Sequence, residues 1–187
     1  LTTGVVTASI SETDASTLAT VTDANGNNDY TATITTASVD ASVFNGISNV
    51  IANLTDGGVT TLTETAADFA EVNTALTGGV LNGNEAVTIT GDITAVNVST
   101  ILNNTSGVVT ATISSDTAAN LNSNLTNTSG NDALTLTVTN TPTDAADLVA
   151  LNGKTSVNVN AASISLLTGT IAQVQAAYTA NTAGTIT

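Results

Sequence analysis

The chain has no Cys, no His, no Met and no Trp, and only one Pro and one basic residue, Lys154, in 187 residues. Each absence removes a class of chemistry. Without His or Cys there is no imidazole base, no thiol nucleophile, no zinc site of the usual ligands and no haem or iron–sulfur ligation. With one Lys and no Arg there is no clamp for a phosphorylated substrate and no electropositive face for nucleic acid. Neither G-x-G-x-x-G nor G-x-x-x-x-G-K-[ST] occurs, so phosphate-cradling loops are missing too. No apolar run approaches 18 residues, and no membrane span is expected. The lack of Cys argues against a disulfide-stapled fold but leaves secretion open, since a repetitive core needs no staples. Residues 1–4 (LTTG) hold neither an initiator Met nor a basic leader, and the chain reads as a processed product or a piece of something longer.

What the chain does hold is Thr and Asn, 40 and 22 residues respectively. The apolar fraction is 41% with only four aromatics, so the interior must be built from Val, Ile, Leu and Ala. Charged residues make up 9%, against roughly 25% in ordinary soluble domains. Disordered chains are poor in β-branched apolar residues and usually highly charged, which excludes disorder here. A net charge of −14 keeps copies apart in low salt and favours association with divalent cations.

Short alternating segments recur: VTASIS at 6–11, YTATIT at 30–35, AVTIT at 86–90, VTATIS at 109–114, LTLTVT at 134–139 and SVNVN at 156–160. VTTLT at 59–63 and TIT at 185–187 are weaker copies. Strict alternation marks a strand with one buried face, which points Val109, Ala111 and Ile113 inward. Several strands lead into a polar cap and a small apolar stripe. Ser11 with Asp14, Thr65 with Asp68 and Thr141 with Asp144 resemble capping boxes, the last with Pro142 at the first helical position. The sets Phe69/Val72/Leu76, Ile47/Val50/Ile51/Leu54 and Ile171/Val174/Tyr178 each make one face of a short helix. Asn-Gly, Asp-Gly-Gly and Asn-Thr-Ser-Gly turns close the units.

These signals predict a single repeat array over 1–187 of about seven strand–cap–helix–turn units. One such unit cannot bury its own apolar face, and crossovers of this length suit parallel pairing. A doubly wound sheet would make the strands apolar on both faces, which they are not. The expected fold is therefore a solenoid with parallel strands in sequence order and short flanking helices.

The phrase SDTAANL at 115–121, with looser copies at 65–69 and 143–148, resembles repeats of very long bacterial cell-surface and hemolysin-type secreted proteins. Residues 151–184 are similar to repeats in giant Thr- and Asn-rich proteins of marine bacteria and cyanobacteria. The resemblance implies an extracellular, repetitive, acidic structural module, often found beside calcium-binding repeats. It carries over no catalytic residue, and the G-G-x-G-x-D signature of those companions is absent.

Candidate sites are few. The pairs Asp144/Asp147 and Asp68/Glu71 sit where acids simply favour a helix dipole, which is a blander role than acid–base catalysis. Asp23, Asn25, Asn27 and Asp29 form the densest oxygen cluster, a candidate calcium loop with D-x-N-x-N spacing. Against an EF-hand, Asn28 stands where Gly is needed and Ile34 where Glu is needed. The six N-x-S/T sequons match what chance gives in such a composition. Lys154 reads as a solvent-exposed residue beside a turn. The Thr pairs Thr31/Thr33, Thr88/Thr90, Thr110/Thr112 and Thr135/Thr137 would form two columns if the strands stack in register. Such a flat face suits either plain strand propensity or binding to a lattice such as ice or a crystalline polysaccharide.

The expected function is that of a non-enzymatic structural subunit of an extracellular filament, sheath or surface layer. Its partners would be further repeats or other copies, meeting end to end or laterally, with calcium a candidate ion. The alternative is a lattice- or polysaccharide-binding module, an ice-binding protein or adhesin, that uses the Thr face.

Overall fold

The computed structural model describes residues 4–24, 26–139 and 141–187. These residues carry seven helices and ten short strands, and the strands lie in three parallel sheets. The chain divides into two compact units. The first comprises the described residues up to Thr88 with Asn104–Gly107; the second comprises Ile89–Asn103 and the described residues from Val108 on.

In the first unit β1 (Thr7–Ser9), β2 (Asp29–Ile34) and β4 (Asn53–Asp56) form a sheet in that order, with β1 at its edge. Its register pairs Thr7 with Asp29 and Thr31 with Asn53, a step of 22 residues each time. A separate ladder joins β3 (Ser38–Asp40) to β5 (Thr61–Thr65). Helices α1 (Ala15–Leu18), α2 (Ala41–Val50) and α3 (Ala70–Thr77) pack in succession. Phe44, Leu18, Ile34, Ile47, Ile51 and Leu62 are the fully buried large side chains of this core. Each contributes about 1.5–3 kcal/mol by leaving water.

β6 (Ala86–Ile93) begins in the first unit and ends in the second. The second unit pairs β7 (Val109–Ile113) with β8 (Ala133–Thr135), and β9 (Thr143–Asp144) with β10 (Leu167–Thr168). Its helices are α4 (Ala95–Leu102), α5 (Ala118–Asn124), α6 (Ala145–Asn152) and α7 (Ile171–Thr182), again packed in succession.

The expected solenoid is corrected. The strands divide among three sheets in a mixed α/β arrangement, where one continuous ladder in sequence order was expected. The reason lies in the first unit, where one repeat supplies two strands to two different ladders. Residues 59–63, read as a copy of the 30–35 strand, instead pair at 61–63 with β3. The partner of β2 is β4, and Leu54 of β4 had been assigned to a helical face. Alongside that ladder the Asn53 amide donates to the Asp29 carboxylate of β2 at 2.5 Å. The segment 156–160 contributes only isolated bridges, Thr137 with Asn160 and Val159 with Ile186.

One local motif repeats through both units: an Asp or Thr N-cap, then a small apolar residue, then a larger one three places on. Asp14, Asp40, Thr94, Thr117 and Thr170 each accept from the backbone N–H three residues ahead, and Asp144 from that of Ala146. Ala15, Ala41, Ala95, Ala118 and Ala145 directly after the caps are buried. So are Leu18, Phe44, Val98, Leu121 and Leu148 three residues beyond them. The expected caps Ser11 and Thr141 lie three residues too early, since Asp14 and Asp144 cap the helices themselves. Pro142 consequently precedes the N-cap of α6. Thr65 and Asp68 do bond reciprocally, at 3.1 and 3.3 Å, but ahead of α3, whose N-cap is Phe69.

Candidate functional site

The candidate loop and the Thr residues each acquire a definite setting, and the fold adds a third group. In the acidic loop, the Asp23 carboxylate turns inward on its own segment. Its Oδ1 accepts from the Gly26 N–H at 3.0 Å and the Asn28 amide at 2.6 Å, and its Oδ2 accepts from the Asn28 N–H at 2.9 Å. Asp29 engages Asn53 on the neighbouring strand. Asn27 is exposed, and Asn25 lies outside the described residues. Asp23 closes the turn and Asp29 joins two strands, so the two carboxylates have separate partners. Among the described residues no group of three or more His, Cys, Asp or Glu side chains is placed to hold a metal ion.

The Thr residues occupy more than one sheet. Thr31 and Thr33 are exposed on β2, where Thr31 lies opposite Asn53 and Thr33 opposite Thr55. On β7, Thr110 and Thr112 are exposed, and the register sets Thr110 opposite Ala133 and Thr112 opposite Thr135. Thr88 is half-buried and Thr90 exposed on β6, while Thr137 is half-buried and bridges to Asn160. The arrangement brings Thr112 and Thr135 together, both exposed and in register. It does not assemble the eight residues into two columns.

The third setting escaped the sequence reading: buried acids and hydroxyls that tie one repeat to another. Asp132 is 1% exposed; its Oδ1 accepts from the Val109 N–H at 2.9 Å, and its Oδ2 from the Ser129 N–H and hydroxyl at 2.9 and 3.0 Å. Glu85 is fully buried and accepts from the N–H groups of Asn82 and Gly83. Glu64 accepts from the Ser42 N–H and hydroxyl at the start of α2, where the helix dipole favours a negative charge. Thr155 sits beside β8 and imitates a missing strand. Its hydroxyl donates to the Leu134 carbonyl at 2.7 Å and accepts from the Leu134 N–H at 3.0 Å. Thr105 plays a related part, donating to the Glu85 carbonyl at 2.6 Å and accepting from the Gly107 N–H at 2.9 Å. The available signal was positional: Glu85 and Asp132 each stand one residue before a strand, and Thr105 and Thr155 each precede a Ser.

Lys154 is half-buried rather than solvent-exposed, and its ammonium donates to the Leu125 carbonyl at the C-terminus of α5 at 2.6 Å. That position suits a cation, because the carbonyl end of a helix is its negative pole. Of the described acids, Asp14 has its pKa held below the ordinary 3.8, first by the Ser16 hydroxyl and then by the Thr17 N–H. The remaining polar surface is ordinary; the apolar surface is not. Ile171 and Tyr178 on α7 are 89% and 66% exposed, and Leu166 nearby is 53% exposed. A cleft of about 290 Å³ beside Tyr178 is lined by Leu148, Ile164, Leu166, Ala177 and Asn181. It holds no charged side chain.

No family model, no curated protein and no solved structure matches this chain. No helix among the described residues is long and apolar enough to cross a membrane.

Proposed function

We propose that the chain is a non-enzymatic structural subunit of an extracellular filament, sheath or surface layer. The observation that carries this reading is how its buried polar groups are used. Glu64 and Asp132 accept backbone N–H groups of Ser42 and Val109, 22 and 23 residues away, and so hold successive repeats together, while Glu85 fixes its own turn. An active site keeps such groups poised for a substrate; here they are saturated by the chain itself. The resemblance read in residues 115–121 and 151–184, which no comparison bears on, would fit the same reading. The scarcity of Lys and Arg, which leaves trypsin-like proteases one cleavage point, supports it.

The test is to label intact cells of the source organism with antibody against this chain and to image the labelled material by electron microscopy, with and without a chelator. Label on continuous filaments or layers outside unpermeabilised cells is the expected result. Label that appears only after permeabilisation overturns the reading. A second reading, lattice or polysaccharide binding, is favoured by the exposed Thr112–Thr135 pair. It requires that Thr112→Lys with Thr135→Lys abolish adsorption to ice or crystalline polysaccharide; unchanged adsorption removes that face from consideration.

A further inference from the structure

Asn-Gly pairs stand at 25, 45, 82 and 152, and Asn25 lies outside the described residues. In such a pair the glycine nitrogen can attack the Asn side-chain carbon, because no Cβ on the following residue obstructs the approach. The reaction needs a base for the glycine N–H and a donor for the amide oxygen. The fold treats the three described pairs differently.

Asn45 lies inside α2 and is 7% exposed. Its amide nitrogen, the group that would have to leave, donates to the Glu71 carbonyl at 2.9 Å and to the Glu71 carboxylate at 2.7 Å. Asn152 ends α6, and the Gly153 N–H donates to the Ala150 carbonyl at 3.2 Å. A peptide carbonyl accepts a hydrogen bond but is too weak a base to take the proton.

Asn82 is exposed, in a turn where Gly83 has a φ of 77°. Here the Gly83 N–H donates to a carboxylate, Glu85 Oε2, at 3.0 Å, while Oε1 accepts from the Asn82 N–H at 3.1 Å. Glu85 is fully buried, so water does not compete for those oxygens. The Asn82 side-chain oxygen accepts from the Asn84 N–H at 3.1 Å, which folds the amide back towards the Gly83 nitrogen. The following repeat holds the turn in place. The Ser106 N–H donates to the Gly83 carbonyl at 2.8 Å, and the Thr105 hydroxyl to the Glu85 carbonyl at 2.6 Å. A base thus faces the nucleophile's proton, and a donor faces the oxygen on which charge develops.

We propose that Asn82 is a self-modifying site, where the turn converts its own Asn-Gly pair through a cyclic imide. Glu85 takes the Gly83 amide proton as that nitrogen bonds to Asn82 Cγ, and the Asn84 N–H holds the resulting oxyanion. The bond from Cγ to Nδ2 then breaks, and Nδ2 leaves as ammonia with the transferred proton. Water opens either C–N bond of the imide, which leaves an aspartyl or isoaspartyl residue at position 82. Neither an oxidant nor a cofactor is consumed. The isoaspartyl product routes the main chain through the side chain, within the turn that joins residues 82–85 to 104–107. The site stands whether or not the chain is a structural subunit.

The experiment incubates the full chain at neutral pH, native and in urea, and follows each Asn-Gly pair by peptide mass mapping, with isoaspartyl methyltransferase labelling to identify the product. Residues 81–83 and 151–153 both read Leu-Asn-Gly, so local sequence alone gives them similar rates. In the native chain Asn82 should convert at least about tenfold faster than Asn152 and Asn45, and in urea the three should come together. Glu85→Gln keeps an acceptor for the Gly83 N–H but cannot take its proton, and should slow conversion at Asn82 about tenfold, with circular dichroism verifying the fold. Should that variant fail to fold, the wild type answers the same question, because Asn82 should convert faster native than in urea. A native Asn82 no faster than Asn152, a native rate at Asn82 below its rate in urea, or a folded Glu85→Gln variant that converts at the wild-type rate would each overturn the proposal.

Discussion

Replacing Thr155 by Val tests whether side-chain hydroxyls stand in for ladder hydrogen bonds at the joints between repeats. The substitution keeps the branched shape and removes only the hydroxyl. That hydroxyl accepts from the N–H groups of Leu134 and Val157, at 3.0 and 3.1 Å, and donates to the Leu134 carbonyl at 2.7 Å. Thr155 is 7% exposed and Leu134 fully buried, so water cannot replace what is lost. A buried backbone group left without a partner costs about 1–3 kcal/mol. Two such groups on Leu134, partly offset by the gained methyl, give a destabilisation of about 2–5 kcal/mol. At roughly 2–4 °C per kcal/mol for a chain of this length, the melting point should fall by about 4–20 °C. Thr155→Ser retains the hydroxyl and should cost only about 1 kcal/mol for the missing methyl. Urea denaturation supplies the energies, and amide exchange at Leu134 and Val157 locates the effect. A Val variant within about 0.5 kcal/mol of wild type, or a Ser variant as damaged as the Val variant, would refute the reasoning.

Two glycines should respond in opposite directions. A Cβ at Gly107 would lie within 2.6 Å of the Asn84 carbonyl oxygen and closer still to the Glu85 carbonyl, so Gly107→Ala should destabilise by about 1–3 kcal/mol or more. Gly46, inside α2 with nothing within 4 Å of an added Cβ, should gain roughly 0.5–1 kcal/mol as Ala; thermal melts of the pair distinguish the two cases. Phe44→Ala empties the centre of the first unit and should cost about 3–5 kcal/mol in urea titration. Asp14 is favoured as the anion in the folded state, so its contribution is complete above its ordinary pKa of 3.8 and is lost as pH falls through the lower folded value. Asp14→Asn should accordingly remove that contribution at neutrality, and urea titrations should show the variant converging on the wild type as pH falls below about 3.8.

The local units were legible because their signals are short-range. Alternation at 109–113 and at 30–34 produced strands β7 and β2, and SDTAANL produced the capped α5. Cap positions slipped by three residues at Ser11 and Thr141 because Asp was read as the far partner of a capping box, when its own carboxylate is the stronger cap. Among the described residues the complete capping box is Thr170 with Gln173, a pair whose Gln carries no charge signal in the sequence. Sheet membership was not legible. Periodicity identifies a strand but not its neighbour, and β2 pairs with β4, a segment whose apolar Leu54 also fits a helical face. Of the candidate sites, the Thr residues at 31, 33, 90, 110, 112 and 135 lie exposed on strands, but their register depends on loop lengths that composition does not reveal. The stripe Ile171/Val174/Tyr178 was read as a helical face, yet nothing in its spacing distinguishes a face turned to the core from one left uncovered.

Immuno-electron microscopy of intact cells tests the proposed structural role most directly. The proposal predicts label on continuous filaments or layers outside unpermeabilised cells. Label that appears only after permeabilisation would contradict it.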